Sequence, residues 1–140
     1  MSAKEYLQQA ERIDRLVKSK TDQLARLEAL AVSATPRYSD TGKSAHDDSH
    51  GSKLENQVIG IVELKDSIRK RANELIKVRK NISETIDRVG SLTHQYILEE
   101  RYLNYKNWDS LCDITGFSKD YLYKLHREGL RMVESILNNK

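Results

Sequence analysis

Seven side chains in the C-terminal third of this sequence have types and spacing suited to holding a polyanion and reading part of its surface. Lys119, Asp120, Tyr121, Tyr123 and Lys124 fall within two helical turns, Arg127 follows, and Lys106 stands in the turn ahead. Lysine and arginine donate to the O6 and N7 edge of guanine, while a carboxylate such as Asp120 accepts from the amino group of cytosine. Arg127 and Lys106 suit phosphates, which fix register without reading sequence. Catalysis has no such support. The four histidines are dispersed, the single cysteine (Cys112) holds a packing position, and the acids are scattered over helix faces. Neither an enzymatic activity nor a cofactor is expected.

Reading of this kind needs a rigid helix, and the local spacing supplies one. With Trp108 as position one, a small residue falls at five (Cys112), glycine at nine (Gly116), and leucine at fifteen and eighteen (Leu122 and Leu125). The small side chain lets two helices cross closely, the glycine turns the corner, and the leucines fasten the second helix to the first. Asn107 is an N-cap for Trp108–Thr115, and Ser118 caps a last helix to about Leu137. A further helix spans about Leu92–Leu103, with Gly90 as the C-cap of what precedes it. Leu111, Ile114, Phe117, Leu130 and Val133 complete a small core. His126, four residues after Leu122, falls toward that core. Seven of the nine aromatic residues lie between Tyr96 and Tyr123, so the best compact core is expected there.

Composition favours an all-α chain: one proline and six glycines leave little to break helices. The net charge of +3 is too mild to identify a nucleic-acid binder by itself. One cysteine excludes an internal disulfide and suits a reducing compartment. The absence of a signal-like or bilayer-length apolar run points to a cytoplasmic protein away from membranes.

Residues 1–89 read as a long antiparallel, coiled-coil-like hairpin, and residues 90–140 as a separate helix-turn-helix domain. The first long helix, about 3–31, carries a seam of Tyr6, Ala10, Ile13, Val17, Leu24, Leu27 and Ala31, widened by Leu7, Leu16 and Leu30. The second, about 53–89, carries Leu54, Val58, Ile61, Ile68, Ala72, Leu75, Ile82, Ile86 and Val89, interrupted at Lys65 and Arg79 and widened by Leu64, Ile76 and Val78. Residues 32–52 hold the only proline (Pro36) and read as a flexible link. His46, Asp47, Asp48 and His50 in that link have metal-donor chemistry, but no rigid element fixes them, so no metal site is expected. Apolar stripes this wide ask for more than one partner face. A homodimer through the long helices is expected, against a monomer whose C-terminal helices fold back over the hairpin. Lys65–Lys80 is the most basic stretch, with Arg69, Lys70, Lys77 and Lys80 as candidate phosphate contacts, although such a run is often only a solvated face.

These features resemble a family of small proteins from phages and prophages of low-GC Gram-positive bacteria, known as domain of unknown function 1492. The likeness includes YLQQAERIDRLVKSKTDQLARLEALA, the link, KLENQVIGIVELKDSI and RYLNYKNWDSLCDITGFSKDYLYKLHREGL. The last of these is similar to region 4 of bacterial sigma factors and to phage late-gene activators. Leu103 and Trp108 match that family's core before the turn, and Asp109 its acidic pair. Leu111 and Cys112 match its Ile-Ala positions, Gly116-Phe117-Ser118 its corner, and Tyr121 to His126 its groove-facing and anchoring turns. Tyr105 stands where a turn glycine is usual, Ser110 replaces the second acid, and Gly129 replaces an alanine.

The resemblance implies a phage or prophage transcriptional regulator binding double-stranded DNA, with RNA polymerase or another phage or host protein as a candidate partner. The alternative is a helical interaction factor, anti-repressor-like or an assembly partner, without sequence-specific DNA contact. Lys106–Arg131 holds five basic and four acidic residues. Affinity for DNA is therefore expected to need two modules or help from the basic stretch.

Overall fold

The computed structural model describes residues 1–33 and 48–139. These form five helices and, among the described residues, no strand: α1 (Ala3–Ser33), α2 (Asp48–Asp87), α3 (Leu92–Tyr102), α4 (Trp108–Thr115) and α5 (Lys119–Asn138). The class is all-α. The first helix ends at Ser33 rather than about residue 31, and the second begins at Asp48 rather than about Lys53, so both ends of the expected link are helical. The rest of the link, with His46 and Asp47, lies outside the described residues, as do the side chains of Asp48 and His50.

Local chemistry accounts for the helix ends. The start of α1 is a reciprocal capping box: the Glu5 N–H donates to Ser2 Oγ at 3.2 Å, and the Ser2 N–H to Glu5 Oε2 at 3.0 Å. The second helix stops at Asp87, short of the expected Val89. Gly90 takes no positive φ, so it is not the left-handed cap that its position suggests. The closure comes from elsewhere. Arg88 and Val89 donate to the Thr85 and Ile86 carbonyls in a tightened last turn, and Gln95 Nε2 reaches the Val89 carbonyl at 2.5 Å. Ser91, Asn107 and Ser118 cap α3, α4 and α5, each accepting from a backbone N–H three residues on.

The chain packs as two compact units. The first joins Met1–Asp14 to Asn73–Lys140; the second is Arg15–Ala72. In the first, Ala3, Leu7 and Ala10 of α1 share a core with Ile82, Ile86 and Val89, and with Leu98, Tyr102 and Val133 of α3 and α5. The Tyr6 hydroxyl lies 3.0 Å from Thr85 Oγ1 along this seam. A second core holds Ile97, Leu111, Leu122 and Leu125, with Trp108, Cys112 and Phe117 against it. The larger core thus runs straight across residues 89 and 90, where the sequence suggested a domain boundary. Aromatic residues serve both cores: Tyr102, with Tyr6 and Tyr105 packed nearby, in the larger, and Trp108 and Phe117 against the smaller.

The second unit packs differently. None of its described residues is fully buried, and Leu54 and Val58, both expected in the seam, are exposed. Ile61 and Ile68 of the same expected seam, with Leu64 beside them, are half-buried. Lys65 Nζ lies 4.0 Å from Glu28 in this unit.

Candidate nucleic-acid interface

The corner between α4 and α5 is built as its residues require. Gly116 takes φ 74° and ψ 5°, the left-handed region that a side chain disfavours, and its N–H donates to the Cys112 carbonyl at 2.8 Å. Thr115 Oγ1 donates to the Leu111 carbonyl at 2.6 Å and accepts from the Phe117 N–H at 3.1 Å, tying the turn to α4. Leu122 and Leu125 are buried, as their spacing from Trp108 required, and Gly129 and Val133 continue the same face. At Gly129 an added Cβ would lie 3.2 Å from Leu98 Cδ1, so the missing side chain is what lets α3 come close. Helix α5 continues unbroken past this glycine to Asn138.

With that face committed to packing, the opposite one faces outward. Lys119, Asp120, Tyr121, Tyr123, Lys124 and Arg127 are all exposed on α5, as is Lys106 ahead of α4. Asp120, Lys124 and Arg127 follow one another at four- and three-residue steps along its crest, and Arg131 extends the line. Three of the seven have side-chain partners already, Tyr121 through an edge-on contact with Phe117, centroids 5.0 Å apart. Lys119 Nζ lies 2.8 Å from Asp109 Oδ1, a bond across the corner that raises the lysine pKa above its ordinary value. The Tyr123 ring meets Trp108 edge-on, centroids 5.0 Å apart. Lys106 gives its backbone to the turn: its N–H donates to the Glu100 carbonyl, and its carbonyl accepts from Arg101 Nη1 at 2.8 Å. Among the candidate phosphate contacts on α2, Arg69 and Lys70 sit 4.0 Å and 3.2 Å from Asp66 in the second unit. Lys77 and Lys80 are exposed in the first.

Beneath the crest lies a polar-aromatic support that the sequence reading largely missed. His126 Nε2 is 2.5 Å from the Tyr102 hydroxyl; its ring stacks on Tyr102 and meets Trp108 edge-on at 4.9 Å. Burial, followed by the nearby Arg101, Lys4 and Arg127 charges, pushes the His126 pKa down to about 4. Burial raises Tyr102 to about 12. The pair is therefore a neutral phenol and a neutral imidazole at pH 7. Arg101 covers the Trp108 ring at 4.8 Å. On the other side of α5, Glu128 Oε2 takes a 2.8 Å bond from His94 Nε2, and the Glu128 pKa lies below its ordinary value chiefly for that reason.

The turn into α4 has its own support. Tyr105, which stands in place of a usual glycine, takes φ 59°, the only positive φ among described non-glycine residues. Arg79 Nη1 donates to the Leu103 carbonyl at 2.8 Å and to the Tyr105 hydroxyl at 2.9 Å. Asp14 accepts a hydrogen bond from that hydroxyl, and burial and this carboxylate together raise the tyrosine pKa. Arg79 interrupted the apolar stripe of the second helix. A charged residue at a seam position was the available signal that it anchors something else.

Among the described residues no group of three or more His, Cys, Asp or Glu side chains is placed to hold a metal ion, and no helix is long and apolar enough to cross a membrane. No curated protein and no solved structure matches the chain. A family model does match, over residues 41–134, which takes in α2 to α4 and most of α5. The match spans more than half of the sequence, and the chain belongs to that family, described as protein of unknown function (DUF1492).

Proposed function

We propose that α4, Gly116 and α5 act as a helix-turn-helix of the sigma region-4 kind, and that the protein is a phage or prophage transcriptional regulator reading duplex DNA through the outer face of α5. The observation that carries this reading is the crest of Asp120, Lys124 and Arg127. Both hydrophobic cores leave it outside, while Leu122, Leu125 and Gly129 hold the helix from behind. A recognition helix needs that division: one face rigidly fastened, the other carrying donors and acceptors near its N-terminal half. Lys106 then serves a phosphate beside the groove, with Lys77 and Lys80 as further phosphate contacts. The long helices are read as an antiparallel hairpin, supported by Tyr6 against Thr85 in one unit and Glu28 near Lys65 in the other.

The test is duplex binding to DNA from upstream of the protein's own gene, measured across a salt series. Wild type is expected to bind at low salt, with log affinity falling linearly as log salt rises. Lys124→Ala with Arg127→Ala is expected to weaken binding and reduce that slope by about one to two. No binding at low salt, or an unchanged slope in the double variant, overturns the reading. A second reading, a helical interaction factor, has its own observation: Leu92 and Tyr96 are 81% and 43% exposed one turn apart on α3. No DNA binding by the wild type at low salt, with a protein partner lost on Leu92→Glu, would favour it.

A further inference from the structure

Between Leu54 and Leu64, α2 carries Leu54, Val58, Ile59, Ile61, Val62 and Leu64, more apolar surface than one neighbouring helix covers. Ile61 and Leu64 are half-buried, yet Val58, Ile59 and Val62 are 50%, 51% and 60% exposed. In the same turns the Gln57 side-chain oxygen is buried with no hydrogen-bond partner among the described residues, an unfavourable state for a buried acceptor. As a unit on its own, Arg15–Ala72 is unfinished.

The pattern of charge indicates what finishes it. Glu55, Val58, Val62 and Lys65 follow a three-four-three spacing along one stripe, with valines in the middle, an acid at one end and a base at the other. All four are exposed. Such a stripe is complementary to itself when turned end for end. Val58 meets Val62 of a second copy, Glu55 meets its Lys65, and two-fold symmetry makes each contact twice. The parallel arrangement sets acid on acid and base on base. The Lys65–Glu28 pair at 4.0 Å is half exposed on both sides and leaves the ammonium able to turn. We propose that the chain forms a homodimer in which α2 packs antiparallel on α2 of a second copy through Glu55, Val58, Val62 and Lys65. The proposal is independent of duplex reading and stands whether or not DNA is bound.

Sedimentation velocity of the full chain tests it. Wild type is expected to sediment as a dimer, and Val62→Glu as a monomer with unchanged helical circular dichroism. Glu55→Lys is expected to weaken the dimer about tenfold by setting lysine against lysine, and Glu55→Lys with Lys65→Glu to recover most of the loss. A wild type that stays monomeric up to about 100 µM, a Glu55→Lys variant as tight as wild type, or a double variant no tighter than Glu55→Lys would each overturn it.

Discussion

Protonating His126 would take away the acceptor nitrogen that faces the Tyr102 hydroxyl and would place a cation beside Arg101. In the unfolded chain this imidazole titrates at about 6.5, and in the folded one at about 4. Below pH 6.5 the unfolded state therefore binds the proton first. Stability from this residue is complete above pH 6.5 and is lost progressively as the pH falls toward 4. Thermal denaturation at pH 7.5 and pH 5 should show a lower Tm at the acid end. His126→Gln, which retains an acceptor and cannot titrate, should show a smaller drop. An equal drop in both proteins would assign the effect to other groups. The burial of His126 was legible from its four-residue distance to Leu122. Its partners were not, because Tyr102 and Trp108 reach it from other helices and only tertiary packing brings them together.

Helices α3 and α5 touch through a glycine, and their packing follows from it. Gly129 ordinarily costs about 1 kcal/mol of helix propensity against alanine, and the close approach of Leu98 is what it permits. Gly129→Val should lower stability by about 1–3 kcal/mol through overpacking, measured by denaturant unfolding; a neutral result would mean that Leu98 yields freely. The helices themselves were largely readable. Asn107, Gly116 and Ser118 mark the bounds of α4 and α5 because capping and left-handed turns depend on nearest neighbours. Gly90 misled for the converse reason: Gln95, from the next helix, satisfies the carbonyls that a local cap would have taken. The outer face of α5 was readable too, since exposure follows once Leu122 and Leu125 are assigned inward. The engagement of Lys119 with Asp109 was not, as it depends on how the corner folds.

At the scale of the molecule, the first unit is assembled from the two ends of the described chain. Apolar periodicity locates a seam but not its partner: the width of the stripe on α1 called for a face beyond α2 without choosing between a second copy and the C-terminal helices, and Leu7 enters a core that also holds Leu98, Tyr102 and Val133. Leu7→Ala should therefore cost about 2–5 kcal/mol and raise hydrogen exchange in α3 and α5 as well as in α1. Unchanged exchange in α3 and α5 would show that they fold independently of α1. The arrangement also has a consequence in time. Residues 1–14 leave the ribosome before any of residues 73–140, with on the order of 60 residues between them. At about 5–20 residues per second, the nascent N-terminal segment waits roughly three to twelve seconds for the first part of its core to be synthesised. During that interval Leu7 has no native shelter, and the unit closes only after translation has passed its discontinuity.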